Sequence, residues 1–227
     1  MSSTAPAATQ RITLFYQDYV GKKVAMALSG VVLFGYVIIH MAGNLQIFAG
    51  REQLNAYAQA LHANVPLLWI ARIVLLLAVG IHFYTGISLA GASRAARPVR
   101  YQVKGQRHPN LAGRTMALSG LVLAAFIVFH ILHLTTGTVQ PAPFADLRPY
   151  DNMVNSFRVI PVAGFYVLSV CLLGLHLYHG AWSMFQSVGF NHPRYTPALR
   201  RFAAVFAFLL AIGFSVVPIA VLTGMVR

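Results

Sequence analysis

Long apolar runs separated by shorter polar segments make up most of this chain. Within the runs, apolar and polar residues do not alternate as they do in half-buried strands. Each run also reaches the roughly 20 residues that a helix needs to cross about 30 Å of hydrocarbon. The pattern predicts five transmembrane helices, at residues 24–48, 67–92, 115–136, 162–185 and 202–222. The expected fold class is therefore an all-α membrane protein.

Basic residues are concentrated at one end of these predicted helices. Twelve of them lie before the first span, between the second and third spans, or between the fourth and fifth spans: Arg11, Lys22, Lys23, Arg94, Arg97, Arg100, Lys104, Arg107, Arg114, Arg194, Arg200 and Arg201. The opposite end carries Arg51, Arg148, Arg158 and Arg227. Because loops rich in Lys and Arg remain in the cytoplasm, the N-terminus is expected there and the C-terminus outside.

The chain is interpreted as a single domain, 1–227. Its expected parts are a cytoplasmic N-terminus (1–23), a first hairpin (24–92), a basic cytoplasmic loop (93–114), a second hairpin (115–185) and a fifth helix (202–222). The basic loop is either a docking surface for a partner protein or a plain topology signal, and the sequence favours neither.

Composition agrees with a membrane protein and excludes other classes. The chain is 58% hydrophobic and 9% charged, whereas about a quarter of the residues of a soluble domain are charged. The formal net charge of +13 does not indicate nucleic-acid binding, since the basic residues lie between the apolar runs. Cys171 is the one cysteine, which excludes a disulfide or thiolate cluster within the chain. Residues 1–10 lack the basic and apolar regions of a cleaved signal peptide.

The two hairpins resemble each other in sequence. Residues 26–33 (MALSGVVL) match residues 116–123 (MALSGLVL) in seven of eight positions, at an offset of 90 residues that also carries His40 onto His130. The pattern Gly-x-His-x-Tyr-x-Gly occurs at residues 80–86 and again, 94 residues later, at 174–180, which carries His82 onto His176. A duplicated hairpin explains both matches. The fifth span is then a peripheral addition that Pro218 is expected to bend or to end early.

Four histidines follow from this repeat as candidate functional residues, one on each of four helices. Histidine in hydrocarbon is costly and usually marks a functional site. His40 lies 17 residues after Lys23 and His130 lies 16 residues after Arg114, or about 25 and 24 Å along a helix. These two form the expected outer pair.

His82 precedes Arg94 by 12 residues, or about 18 Å, and His176 lies at a similar depth before the polar residues 191–192. These two form the expected inner pair. In a four-helix bundle, cofactor sites are built from such side chains on facing helices.

Haem is the cofactor that two imidazoles favour. Zn²⁺ and Ca²⁺ need more protein ligands, whereas haem brings four nitrogens of its own and needs only axial ligands. The sequence therefore predicts two stacked bis-histidine haem b sites. Gly80, Gly86, Gly174 and Gly180 would let a flat macrocycle approach, although small residues also allow helices to pack closely. For any single histidine the alternative is a hydrogen bond across helices.

Haem propionates require cations or polar donors. For the inner haem, Lys22, Lys23, Arg94 and Arg114 lie toward the appropriate side. For the outer haem, Arg72 is a candidate, although its side chain can instead extend to the membrane interface.

The chain resembles the di-haem cytochrome b (b558-type) membrane anchor subunit of succinate dehydrogenase and fumarate reductase. The matching motifs are His40-x3-Asn44, Tyr84 and Gly86 after His82, Phe129-His130, and His176-x3-Gly180-x-Trp182-Ser183. The resemblance covers nearly the whole chain and includes the five-span layout. His133 and His179 depart from the family pattern, which leaves open a one-turn alternative for the ligands in the third and fourth spans.

The resemblance implies a membrane anchor and electron-transfer subunit of succinate:quinone oxidoreductase, located in a bacterial cytoplasmic (inner) membrane. Two haems b would carry electrons between an iron–sulfur subunit and a membrane quinone, usually menaquinone in di-haem members. The implied partners are that iron–sulfur subunit, a flavoprotein subunit carrying FAD, membrane lipid and further copies of the whole complex, with no nucleic acid. The chain alone would not oxidise succinate, and no catalytic residue is assigned to it.

The quinone site is expected near the outer pair. The polar candidates there are Gln46, Arg51, Glu52 and His62, of which His62 could carry protons; the alternative for each is a solvated loop residue. Two other functions fit the same histidines. One is the haem b subunit of a membrane hydrogenase, a formate dehydrogenase or a b561-type cytochrome. The other is a haem-free, proton-coupled transporter that uses the histidines as a proton relay.

Overall fold

The protein is described here by a computed structural model, which covers residues 18–96 and 111–227. This part of the chain folds into seven α-helices and one 3₁₀ helix: α1 (Tyr19–Leu45), the 3₁₀ helix (Gln46–Ala49), α2 (Arg51–Ala63), α3 (Val65–Ala95), α4 (Leu111–Leu134), α5 (Pro149–Phe157), α6 (Ile160–Ser187) and α7 (Thr196–Leu222). Five of them, α1, α3, α4, α6 and α7, are long and apolar enough to cross a membrane. The predicted all-α, multi-pass membrane fold is confirmed.

Local chemistry explains where several of these helices begin and end. A proline stands in the first turn of α3, α5, α6 and α7, where a missing backbone N–H removes no helical hydrogen bond. The side chain of Asn64 accepts a hydrogen bond from the Leu67 backbone N–H at 3.1 Å and caps α3. After α6 and α7, Gly189 and Gly224 adopt φ values of 85° and 73°, which glycine reaches without steric cost.

The helices of each predicted hairpin lie side by side. Helix α1 packs against α3, and α4 packs against α6, while α7 runs along α6 and also contacts α1. Outside these contacts the spans expose apolar side chains such as Leu28, Leu76, Leu118 and Phe208. Exposed apolar surface of this extent fits helices whose outer faces meet lipid rather than water.

The fifth span is an added helix, yet it is firmly packed. A third of its most apolar window is buried, the largest share among the five spans of the described residues. Pro218 lies inside α7, which continues to Leu222, the expected end of the fifth span, so of the two expected effects of this proline the early end does not occur. Helices α1 and α7 extend beyond the expected spans 24–48 and 202–222 at their N-terminal ends, where they begin at Tyr19 and Thr196.

Two short helices, α2 and α5, cover one end of the bundle and were not expected from the apolar pattern. Their buried faces form a cluster with the last turns of α7 that includes Leu54, Tyr150, Phe157 and Val221. Polar contacts add to this cluster: Arg51 lies 3.2 Å from Asp151, the Tyr150 backbone N–H donates to the side chain of Asn55 at 3.2 Å, and the Tyr150 hydroxyl donates to the backbone oxygen of Arg227 at 2.9 Å. We call this the capped end of the molecule.

The opposite end, which we call the basic end, is where α1 and α4 begin and where α3 and α6 finish. Lys23, Arg94, Arg114 and Arg200 are exposed there. Most of the predicted basic loop, residues 97–110 with Arg97, Arg100, Lys104 and Arg107, lies outside the described residues, as do residues 1–17 with Arg11.

The cap cluster predicts a clear difference between two leucines of α2. Leu54 is 3% exposed and Leu61 is 47% exposed. Leu54→Ala should lower the free energy of unfolding by about 2–5 kcal/mol, because it leaves a cavity in the cluster. Leu61→Ala should change it by less than about 0.5 kcal/mol. Denaturant unfolding in detergent measures both, and equal effects would show that the cap does not contribute a packed core.

Candidate functional site

The imidazole rings of the inner pair face each other between the two hairpins. His82 on α3 and His176 on α6 have ring centroids 6.2 Å apart, with the ring planes inclined at 62°. Two imidazoles that bind one metal from opposite sides, each through a bond of about 2 Å, have centroids about 6 Å apart. The angle between the planes is free in that arrangement, since each ring can rotate about its own bond to the metal.

The outer pair repeats this geometry nearer the capped end. His40 on α1 and His130 on α4 have ring centroids 5.7 Å apart, at an interplanar angle of 84°. Phe126 and Phe214 lie beside these two rings, with centroids 5.8 Å from His130 and 5.9 Å from His40. Four helices therefore contribute one imidazole each, and both of the pairs expected from helix depth are brought together.

The four rings are held in the same way, through Nδ1 and a hydroxyl group. For the inner pair, Nδ1 of His82 lies 3.3 Å from the Ser29 hydroxyl and Nδ1 of His176 lies 3.2 Å from the Ser119 hydroxyl. For the outer pair, Nδ1 of His40 lies 3.5 Å from the Tyr36 hydroxyl, and Nδ1 of His130 lies 3.2 Å from the Tyr166 hydroxyl. Within the described residues, Nε2 of each ring has no hydrogen-bond partner and is the nitrogen left to bind a ligand.

The spacing between the two sites can be read from two helices independently. On α1, Ser29 supports the inner pair and His40 belongs to the outer pair; on α4, Ser119 and His130 have the same roles. Both separations are 11 residues, or about 16 Å at 1.5 Å per residue, and 11 residues are close to three whole turns. The supporting serine and the paired histidine thus share one face of each helix.

The one-turn alternatives at His133 and His179 differ in position from the paired histidines. The ring of His133 is fully buried, stacks on Phe129 and has Nδ1 2.8 Å from the Tyr166 hydroxyl. His130, one turn away, is the ring that faces His40. In α6 it is the ring of His176, and not that of His179, that faces His82. Tyr166 therefore joins the outer pair to a third, buried histidine whose Nε2 has no partner within the described residues.

The glycines beside the imidazole rings are not the four that the sequence suggested. A Cβ placed at Gly174 would lie 3.1 Å from the Cβ of Ala211 on α7, so this glycine allows close helix packing. Gly80 and Gly180 have open space where a Cβ would stand. Gly30 and Gly120, directly after the supporting serines, are the ones next to the imidazoles. A Cβ there would lie 3.4 Å from Cε1 of His82 and 3.5 Å from Cε1 of His176.

The donor set fits haem better than a bare metal ion. No group of three or more His, Cys, Asp or Glu side chains that could hold a metal ion occurs within residues 18–96 and 111–227. Each pair offers two imidazoles and nothing more, so a bound metal would have to bring its other ligands with it. Haem does so, and its iron commonly takes axial histidines.

The candidate partners of the haem propionates differ in their exposure and in their contacts. The Lys22 ammonium donates to the Ser88 hydroxyl at 2.8 Å, linking α1 to α3. Lys22 lies seven residues before Ser29, on the same face of α1 and toward the basic end. Lys23 is exposed and lies over the Tyr19 ring, and Arg94 and Arg114 are exposed. Arg72 lies over the Trp69 ring, with its guanidinium carbon 5.2 Å from the ring centroid.

The four residues expected to bind a quinone lie outside the cavity nearest the outer pair. Arg51 and Glu52 line a shallow polar cavity of about 400 Å³ on the cap surface, together with Asp151. His62 is exposed, with Nδ1 2.8 Å from the Ala58 carbonyl oxygen of its own helix. Gln46 is partly buried in the 3₁₀ helix.

A smaller cavity of about 160 Å³ adjoins His40 and His130 and is also lined by Asn44, Leu134, Thr135, Pro149, Asn152 and Met153. Asn44 follows His40 by one turn on the same helix face, which is the signal in the sequence that could have pointed to this cavity. Asn152 already bonds the Ala145 backbone at 2.8 and 3.0 Å, so it is a structural residue there.

In comparisons with protein-family models, with curated proteins and with solved structures, none matched this chain.

The geometry around Tyr166 predicts unequal effects of removing two tyrosine hydroxyls. Tyr166→Phe leaves the fully buried Nδ1 of His133 without its partner at 2.8 Å and should lower the free energy of unfolding by about 1–3 kcal/mol. Tyr36→Phe removes a contact of 3.5 Å at an exposed side chain and should have little effect. Denaturant unfolding in detergent compares the two, and a larger loss for Tyr36→Phe would contradict the assigned contacts.

Proposed function

We propose that this chain is the di-haem cytochrome b membrane anchor subunit of a succinate:quinone oxidoreductase, in a bacterial cytoplasmic membrane. The observation that carries the proposal is the double histidine pairing: two pairs of imidazoles with centroids 5.7 and 6.2 Å apart, on four helices of a duplicated hairpin. A single pair can arise as a polar contact between helices. Two pairs at two depths favour a pair of cofactors.

The residues of the chain have distinct tasks in this proposal. His40 and His130 hold one haem b, and His82 and His176 hold the other, each through Nε2. The hydroxyls of Tyr36, Tyr166, Ser29 and Ser119 orient the rings through Nδ1. A haem bound at each site supplies an iron that takes up and releases one electron. The apolar bundle keeps water from the sites and so contributes to the reduction potential.

The difference between the two ends supports an orientation. We propose that the basic end faces the cytoplasm, where an iron–sulfur subunit and an FAD-containing flavoprotein subunit dock. In the sequence, twelve of the seventeen basic residues lie before the first span, between the second and third spans or between the fourth and fifth, and of these Lys23, Arg94, Arg114 and Arg200 are exposed at the basic end. Helices α2 and α5 cover the capped end, whereas within residues 18–96 and 111–227 no comparable pair of helices covers the basic end. Higher oligomers of the whole complex remain part of the proposal.

For the quinone, we propose the cavity beside the outer pair, in place of the surface formed by Arg51 and Glu52. Its wall combines apolar side chains, Leu134, Pro149 and Met153, with the polar groups of Asn44 and Thr135. An apolar pocket with a few polar groups is the usual form of a small-molecule site. Menaquinone is the expected substrate, because the di-haem family usually uses it.

The assignment of ligands is tested by replacing neighbouring histidines. The purified complex should show a b-type reduced-minus-oxidised spectrum that corresponds to two haems for each copy of this chain. His176→Ala should remove one haem and leave the other, because the second pair is untouched. His179→Ala, one turn away, should retain both and serves as the matched control.

Two results would contradict the proposal. If the spectrum of the unmodified protein shows no haem, the proposal is excluded and a haem-free transporter becomes the alternative. Loss of haem in His179→Ala but not in His176→Ala would instead shift the ligand by one turn. FAD and acid-labile sulfide, counted in the same purification, separate this complex from other haem b anchors.

The location of the quinone site is tested by a second pair of variants. Asn44→Leu preserves the side-chain volume but removes a polar group from the cavity. It should raise the quinone KM of the complex roughly tenfold, the equivalent of one hydrogen bond of about 1.4 kcal/mol. Glu52→Gln on the cap surface should leave KM unchanged. Haem content is measured in both variants. A changed quinone KM in Glu52→Gln alone would place the quinone site on the cap surface instead.

A further inference from the structure

The repeated motif Met-Ala-Leu-Ser-Gly lies beside the inner pair in both halves of the molecule. Residues 26–30 of α1 contact the ring of His82, and residues 116–120 of α4 contact the ring of His176. The motif is the best-matched stretch of the internal repeat, and neither copy contains a ligand. Its position next to the imidazoles gives the match a physical explanation.

Hydrogen-bond directions in the first copy determine which ring nitrogen of His82 carries a proton. The Ser29 hydroxyl donates its single hydrogen to a backbone oxygen of its own helix, Ala25 at 2.8 Å or Met26 at 3.1 Å. Its oxygen therefore accepts from Nδ1 of His82 at 3.3 Å. The Met26 carbonyl oxygen, 3.2 Å from the same Nδ1, can only accept. Both contacts require a hydrogen on Nδ1, which leaves the lone pair on Nε2.

The second copy has the same arrangement at His176. The Ser119 hydroxyl lies 3.1 Å from the Met116 carbonyl oxygen and 3.2 Å from Nδ1 of His176, and we assign its hydrogen to the carbonyl oxygen by analogy with the first copy, so that its oxygen accepts from Nδ1. Both serines are almost fully buried, Ser29 at 6% and Ser119 at 2% exposure, so water does not compete for these bonds. The glycine that follows each serine leaves the adjacent edge of the ring, at Cε1, free of a side chain.

We infer that Ser29 and Ser119 are positioning residues that fix the Nε2-ligating tautomer of the inner pair and lower the reduction potential of the iron bound there. The inference rests on the proposed haem function. An imidazole that donates from Nδ1 to an acceptor is a more basic ligand, and it stabilises ferric iron relative to ferrous iron. Removing the acceptor should therefore move the midpoint potential to more positive values.

The two serines differ in one respect that sharpens the test. Without Ser29, Nδ1 of His82 still has the Met26 carbonyl oxygen. Within the described residues, Nδ1 of His176 has Ser119 alone. Ser119→Ala should therefore shift the inner midpoint further than Ser29→Ala. A tenfold loss of the preference for ferric iron corresponds to about 59 mV for a one-electron couple.

The experiment is an optical redox titration of the purified complex that contains both haems. The inner haem is identified as the one that His176→Ala removes. Both alanine variants should shift its midpoint upward and leave the midpoint of the outer haem unchanged. Ser29→Thr and Ser119→Thr retain the hydroxyl and should restore the original value. Ser156→Ala, at a fully buried serine of the cap, is the matched control and should shift neither haem.

The outcomes separate this inference from the proposed function. Two haems with an unchanged inner midpoint in both alanine variants would overturn the role of the serines and leave the function standing. Loss of the inner haem from the alanine and threonine variants alike would assign the serines to packing and overturn the role as well. Loss from the alanine variants that threonine reverses would support it. Absence of haem from the unmodified complex would overturn both.

Discussion

An imidazole placed in a membrane interior is costly unless the protein supplies partners for its ring nitrogens, because hydrocarbon offers none. This requirement organises the bundle. In each paired ring a hydroxyl from the same or a neighbouring helix lies at Nδ1, and the ring faces a second histidine across the bundle. The helices that carry the rings must therefore stand opposite one another, at depths that agree. The pairing of the hairpins and the position of Ser29 and His40 on one face of α1 follow from the same need.

The duplicated hairpin has kept this arrangement more closely at one depth than at the other. The inner pair is supported by serines that occupy equivalent positions of the repeat, Ser29 and Ser119. The outer pair is supported by Tyr36 and Tyr166, which are not equivalent: Tyr36 precedes its histidine on α1, whereas Tyr166 reaches His130 from α6. Tyr166 also holds the buried His133. The two histidine pairs thus have different surroundings, and the two proposed haems would have different reduction potentials for that reason.

The two ends of the bundle are built for different surroundings. At the capped end, α2 and α5 bury an apolar cluster and hold the last residue of the chain through the Tyr150 hydroxyl. The cavity next to His40 and His130 opens beneath this cap. At the basic end, arginine and lysine side chains are exposed and the helices end without such a cover in the described residues. A small lipid-soluble molecule near one end and protein partners at the other are compatible with this difference.

The sequence by itself determined the class of the fold, the number of spans and the depths of the four histidines. These properties depend on the length of each apolar run and on the rise per residue, which are local and can be counted along the chain. Tertiary structure decided the rest, because depth along a helix does not say which neighbour a side chain meets. In the folded protein, Gly174 packs against α7 and Gly30 lies beside His82. Asn44 lines the cavity next to the outer pair, whereas Glu52 is exposed on the surface. The helices α2 and α5 also depend on tertiary structure. Their segments are too polar to span a membrane, and their apolar faces are buried against the bundle that they cover.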